Sequence, residues 1–466
     1  MSTTIDRRAF LARGAATAAG LAIAGPLGAF RARTAMGAPK AGEGYGPLVD
    51  MGDLALPRGF DYRIISRQGD PMGTGGPTPG IFDGMAAYPG PRGTTVLIRN
   101  HENRERFGEI PVPVPPDRRY DPDPTLAGGC TKVVVRGSRV IGSFPVIGGT
   151  STNCAGGETP WGSWITCEEV FKEGATGVRH GYAFEIDART MGPVEPRPIM
   201  GAGRFVHEAC AWLRGALYLT EDIRTDAALY RYVPERSPKA PGDLAASTGV
   251  LEALRLRDFP NGVNTNVKVG DPVFPGGWPV GQPFPVDWVR IDDPDPADNI
   301  GSAQGGNSTR AQAVAKGAAR FDRQEGCWVS GSRLYFDCTD AGKAELGQIW
   351  EYDAARSTLT LIFETSGPEE LKNPDNLVVT PTGDLLLCED SDEPQFLRLL
   401  TVEGEISDFA RTITNDSEFA GACFDPRGNV LYVNQQGSRE RPDGAPVDQG
   451  VTYAITGPWR SLKGRS

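Results

Sequence analysis

Histidine is scarce: only His101, His180 and His207 occur in 466 residues. Two of them sit inside acidic pieces, Asn100-His101-Glu102 and His207-Glu208, so no Ser/His/Asp arrangement is visible for nucleophilic catalysis. Positive charge is also short. The net charge of −11 argues against nucleic acid as a partner. It also suits an anionic substrate poorly, unless bound cations reverse the local sign. Long apolar runs are missing; the alanine-rich stretch from about Gly14 to Gly28 is weakly hydrophobic and too short to leave a bilayer span in a mature protein. What is abundant is glycine (60) and proline (39), which favours many short strands joined by tight turns over long helices.

The length allows two to three domains or one large all-β domain. Asp6-Arg7-Arg8-Ala9-Phe10-Leu11 has a twin-arginine pattern ahead of the apolar stretch. Residues 1–38 are therefore expected to be an export signal, cleaved between Ala35 and Ala41, with export through the twin-arginine machinery to the periplasm, cell surface or medium. Those residues hold five arginines and one aspartate, so their loss would take the net charge from −11 to −15. Residues 39–53 are expected as a linker and 54–466 as the folded domain. Eight cysteines in an exported chain raise the question of disulfides. Cys167, Cys338 and Cys388 each precede an acidic residue at an expected strand end, which argues against a full framework of bridges; one or two stay open.

The most informative stretch runs from Gly148 to Glu169. It opens on an expected glycine turn, offers Asn153-Cys154, and closes on Glu168-Glu169 after an apolar run. Trp161, Trp164 and Ile165 read as a short strand with one buried face. A thiolate suits iron or zinc, and hard carboxylate oxygens suit calcium or ferric iron. Taken alone, Cys154 reads first as a small buried apolar residue, which is what most free cysteines are.

A hairpin pattern then recurs. Thr94–Glu102 ends on polar residues, as do Phe205–Asp222, Arg323–Asp340, Pro374–Asp390 and Phe419–Gln436. The rim positions Glu102, Glu169, Asp222, Asp340, Asp390 and Gln436 are separated by 67, 53, 118, 50 and 46 residues. A period near 50 is the size of a four-stranded propeller blade. The expectation is a six-bladed β-propeller whose long gap holds a loop-rich insertion, about 234–310; that gap has room for a seventh blade. In an antiparallel hairpin the start of the first strand and the end of the second share an edge. Glu208 then lies beside Asp222, Glu325 beside Asp340, and Asp375 beside Asp390. Radial hairpins would crowd these carboxylates at one mouth, where like charges raise one another's pKa values unless cations intervene. The plainer alternative is that acids simply end strands as solvated turn residues.

From Asn153-Cys154-Ala155-Gly156-Gly157 through Thr159-Pro160-Trp161-Gly162-Ser163-Trp164-Ile165-Thr166-Cys167-Glu168-Glu169, the chain resembles the PhoX-type alkaline phosphatases. Asn100-His101-Glu102, His207-Glu208 and Arg323-Gln324-Glu325 add to the likeness, which runs from about Leu54 to Gln436. The resemblance implies two ferric and about three calcium ions at the mouth of a six-bladed propeller. It implies Cys154, Glu208 and Glu325 as iron ligands and Arg323 as the phosphate clamp. It further implies Glu102, Glu168, Glu169 and Asp390 as calcium ligands, and Asn153 and Asn100 as substrate-binding or supporting amides. The chain is more compact than familiar members, and Gln324 and Gly326 depart from the expected pattern. Small-molecule phosphate monoesters are the implied substrates, and a monomer is expected. A calcium-dependent propeller lactonase or esterase, and a non-catalytic propeller that binds a partner, are the alternatives.

Overall fold

The computed structural model describes residues 40–461, apart from 42, 74–75, 105–108, 138, 392–393 and 439–447. The proposed export signal, residues 1–38, lies outside the described residues.

The described chain is nearly all β-strand, laid down as successive antiparallel meanders. The first runs through Phe82–Pro89, Thr95–His101, Gly128–Arg136 and Arg139–Thr150. Asn153–Glu158, Ser163–Glu168 and Ala183–Asp187 form the second. His207–Leu213, Ala216–Glu221, Tyr230–Pro234 and Gly249–Leu256 follow, then Gln324–Ser330, Arg333–Cys338, Gln348–Asp353 and Thr358–Glu364. The last two meanders start at Pro374–Val379 and at Phe419–Phe424. Short β-branched and apolar segments between turn residues explain this pattern, since each can bury both faces only by stacking on the next sheet.

The first strands of these sheets touch one another in order, and the Phe419–Phe424 strand packs back on Phe82–Pro89. A closed ring results, with polar strand ends gathered at its mouth. Closure is made by both ends of the domain: Asp61–Arg67 pairs antiparallel with Val451–Thr456 as the outer strand of the last sheet. Tyr45, Phe60, Phe409 and Trp459 seal this junction, with ring centroids 4.8–6.1 Å apart.

Three boundaries differ from expectation. The 39–53 stretch is not only linker, because Leu48–Asp50 pairs with Leu54–Pro57 and Lys40–Ala41 pairs with Glu405–Thr412. Residues 234–310 are not all loop. Gly249–Leu256 completes a meander, and Pro283–Arg290 pairs with it on one side and with Thr358–Glu364 on the other, welding two meanders into one nine-stranded sheet. Gly148 and Gly149 end the Arg139–Thr150 strand, and the turn falls on Ser151-Thr152 instead. All eight cysteines are buried free thiols, so neither bridge left open is present. No helix among the described residues is long and apolar enough to cross a membrane.

Candidate active site

One register device builds the mouth. In each sheet the first residue of the inner strand pairs with the last residue of its neighbour: Phe82 with His101, Asn153 with Glu168, His207 with Glu221, Gln324 with Cys338, Pro374 with Glu389, and Phe419 with Gln435. The residue after that neighbour donates its N–H to the carbonyl just ahead of the inner strand. These bonds run Glu102 to Ile81, Glu169 to Thr152, Asp222 to Val206, Thr339 to Arg323, Asp390 to Asn373 and Gln436 to Glu418, at 2.8–3.2 Å. A register shift follows in every case. Such bulges kink a strand and re-aim its side chains, which is why they recur beside active sites. Ile81, Thr152, Arg323 and Asn373 carry φ values of 45–52°, a left-handed conformation that costs about 1–3 kcal/mol for a residue with a side chain. Four of the six sheets carry this strain at the same structural position.

The second residue of each inner strand is thereby brought to the axis: Asp83, Cys154, Glu208, Glu325, Asp375 and, in the last sheet, Ala420. Donor atoms of Asp83, Glu102 and Cys154 lie within 4.8 Å of one another, as do those of Cys154, Glu169 and Glu208, and those of Glu208, Glu325 and Asp375. The mouth is a cavity of about 440 Å³ lined by Asp83, Glu102, Arg104, Cys154, Glu169, Arg323, Glu325, Asp375, Asp390 and Glu418, together with the neutral Ser391, Gln395, Ser417 and Gln436.

Hydrogen bonding within the cluster is sparse. The Cys154 thiol reaches Asp83 Oδ2 at 3.6 Å. Both carboxylate oxygens of Glu208 are buried without a hydrogen-bond partner. An uncompensated buried carboxylate costs several kcal/mol, so it either takes a proton or meets a cation. The proton affinities follow. Burial, and then Glu102, push Asp83 up to about 7 from its usual 3.8. Burial drives Glu208 well above the carboxylate range, helped by Asp375, Glu169 and Asp83. Glu325 and Asp375 are raised well above it too, first by burial and next by Asp222 and Asp83 respectively. The Cys154 thiol is raised by burial and by Asp83 beside it. Two unit charges 4 Å apart repel by about 4 kcal/mol at an effective dielectric of ~20, so these groups cannot all ionise without positive charge between them.

Two arginines supply part of that charge. Arg323 donates from Nε and Nη2 to Asp222 at 2.9 and 3.0 Å, and from Nη2 to Glu325 at 2.8 Å. Arg104 Nη2 lies 2.5 Å from Glu102 and 3.3 Å from Glu169.

The structure thus gathers Cys154, Glu208, Glu325, Arg323, Glu102, Glu169 and Asp390. Three expected site residues lie elsewhere. Asn100 is fully buried and engaged: its Nδ2 donates to Cys154 O and Ala155 O at 2.7 and 2.8 Å, and its Oδ1 accepts from Trp164 Nε1 and Cys130 Sγ. It braces the backbone under the thiol and cannot reach a substrate. Asn153 is likewise taken up, by Thr166 at 3.0 Å and Thr150 at 2.6 Å. Glu168 points away from the mouth, because neighbours in a strand face opposite sides. Its carboxylate accepts from Ser151 N, Gly181 N, Tyr182 N and His180 Nδ1 instead. Asp340 also misses the rim by one residue: Thr339 holds that position, and Asp340 pairs with Arg224. Trp161 precedes the Ser163–Glu168 strand and packs edge-on against Trp212.

Sequence reasoning did not select Asp83, Asp375, Glu418 or Arg104 as site residues. Asp375 was placed at the edge by hairpin geometry, and its position just inside an inner strand, shared with Glu208 and Glu325, was the available signal. Asp83 shares it, masked by the adjacent glycine. Glycine is required at 156 and 157: a Cβ there would sit 1.9 Å from Ile165 O and 1.8 Å from Cys210 O, so the thiol-bearing strand packs backbone to backbone.

Fold and site together define a propeller-like β-protein with a cavity of carboxylates, one thiol and two arginines at its mouth. The alkaline phosphatase PhoX family model matches residues 43–438, and the chain belongs to that family; it is a phosphatase. Among solved structures it is similar to Pseudomonas fluorescens PhoX in complex with vanadate, a transition state analogue, with a TM-score of 0.63 and 18% identity over 90% of this chain and 98% of that one. A gluconolactonase from Xanthomonas campestris, XC5397, matches with a TM-score of 0.37 and 12% identity over 89% of this chain and 98% of that one. None of the curated proteins matches the chain.

Proposed function

We propose that this phosphatase hydrolyses phosphate monoesters at a cluster of ferric and calcium ions held in the mouth of a six-bladed propeller. The observation that carries the metal reading is Glu208, whose two carboxylate oxygens are buried and unpartnered among five further acids and a thiol. The donor set fits. One soft sulfur, Cys154, with Glu208 and Glu325 beside it suits ferric iron, and the hard oxygens of Asp83, Glu102, Glu169, Asp375 and Asp390 suit calcium. Bound there, the ions would neutralise the carboxylates, polarise phosphoryl oxygens and activate the attacking oxygen. The six inner strands meeting in a ring support the blade count.

The chain's own groups then do three things. Asp222 and Glu325 hold one edge of the Arg323 guanidinium, which leaves Nη1 for a phosphoryl oxygen. Asn100 fixes the carbonyls on either side of the Cys154–Ala155 peptide, and with them the direction of the thiol. Gln436 donates from Nε2 to Asp83 Oδ2 at 3.0 Å and to Glu102 Oε2 at 2.9 Å, and so ties two of the acids together. Twin-arginine export to the periplasm or beyond, and a monomeric state, complete the proposal.

The test is elemental analysis of the purified protein with p-nitrophenyl phosphate turnover before and after chelation. Iron and calcium in the protein, a visible band from thiolate to ferric iron, and turnover lost on chelation are expected. A colourless, iron-free protein with undiminished turnover would refute the cluster.

A further inference from the structure

Arg104 follows the Thr95–His101 strand and turns its guanidinium back into the mouth. Its Nη2 sits 2.5 Å from Glu102 Oε1 and 3.3 Å from Glu169 Oε2. These two acids come from the rims of adjacent sheets and occupy the same structural position, each donating its N–H across the bulge of its own sheet. Little of either side chain is exposed, 5% for Glu102 and 16% for Glu169. Glu102 Oε2 is held in turn by Gln436 Nε2 at 2.9 Å. The arginine therefore bridges two nearly buried carboxylates from neighbouring sheets, as a divalent ion would. Arg323 bridges a different pair, Asp222 and Glu325, so the two guanidiniums are not interchangeable. Guanidinium is a permanent cation.

We propose that Arg104 takes the place of one divalent cation between Glu102 and Glu169, so that this chain holds fewer calcium ions than its ring of carboxylates would otherwise bind. The inference rests on the metal-dependent reading above. It predicts that removing the arginine creates a calcium site rather than destroying one. A calcium ion between the two acids would no longer meet a fixed like charge within bonding distance of both.

The experiment uses the full-length protein, stripped with chelator, reloaded with iron and titrated with calcium chloride. Bound calcium is counted by elemental analysis and affinity is read by calorimetry, for the native chain, Arg104→Gln, Arg104→Lys, and Arg104→Gln combined with Glu102→Gln. Arg104→Gln is expected to bind a further equivalent of calcium per chain, or to bind its weakest calcium at least about tenfold tighter. Its melting temperature should also rise more with calcium than that of the native chain. Arg104→Lys, which keeps the positive charge, is expected to keep the native stoichiometry, and the double variant, which lacks one of the two facing carboxylates, is expected to gain no calcium over the native chain. Unchanged stoichiometry and affinity in Arg104→Gln would overturn the inference, even if its KM for a phosphate ester rose, because that would make Arg104 a substrate contact. If Arg104→Gln folds only with calcium added, the rescue itself supports the exchange. If the native chain binds no metal at all, the cluster reading falls together with this one.

Discussion

Without the proposed metals the protein's stability should fall as pH rises, and Asp83 sets the size of the effect. Its carboxyl is pushed up to about 7 from 3.8 by burial and by Glu102. The unfolded chain releases this proton near pH 4, while the metal-free folded chain holds it to about pH 7. Folding therefore gains from this group fully below the unfolded value, and loses that gain progressively up to the folded one. Going from 3.8 to about 7, at ~1.36 kcal/mol per pH unit, makes the loss about 4 kcal/mol. That is a large share of the 5–15 kcal/mol that holds a typical domain. Glu208, Glu325 and Asp375 are raised as well, first by burial, and add to the loss in the same direction. The assay is urea unfolding of chelated protein at intervals from pH 4 to 8, for the native chain and Asp83→Asn. The difference between the two isolates this carboxyl from ordinary acid denaturation, which has the opposite slope. The stability of the native chain minus that of Asp83→Asn should fall by about 4 kcal/mol across the window, and adding calcium and iron back should flatten the native curve. Parallel curves for the two proteins, or a native stability that rises from pH 4 to 7 by as much as that of the variant, would refute the crowded-carboxylate argument.

Other substitutions separate the mouth from its supports. Cys154→Ala should abolish the thiolate-to-iron band and lower bound iron, read by absorbance and elemental analysis, because no other thiol lines the cavity among the described residues. Glu168→Gln should leave bound metal unchanged while costing about 1–3 kcal/mol in urea unfolding, since its carboxylate accepts three backbone N–H bonds and one from His180. Gly157→Ala should cost more than about 3 kcal/mol or prevent folding, as judged by soluble yield and circular dichroism, because the new Cβ would lie 1.8 Å from Cys210 O.

The contrast between Glu168 and Glu169 shows where local reading stops. Both are acids in one short segment, and both looked like calcium ligands. Alternation along the strand sends one to the mouth and the other to His180. Asp340 and Thr339 make the same point: spacing along the chain was read one residue off, and only the cross-strand bond from Thr339 to Arg323 fixes the register. Asn100 and Asn153 carry polar groups beside the key cysteine, yet both are consumed by neighbours more than ten residues or only three residues away. No sequence pattern distinguishes a satisfied amide from an available one.

By itself the sequence determined that the chain would be all-β and assembled from hairpins with acidic ends. Those features are local: strand propensity, turn residues, and the shared edge of an antiparallel pair. The choice of Cys154, Glu208 and Glu325 among the candidate groups came instead from the motif likeness to the PhoX-type phosphatases. Only the tertiary structure decided which acids face one another, because that depends on a bulge repeated in every sheet and on the ring closing between Phe419–Phe424 and Phe82–Pro89. It alone brought in Asp83 and Arg104. Their roles come from charges on other sheets, and a Coulomb interaction is set by distance in space, whatever the distance along the chain.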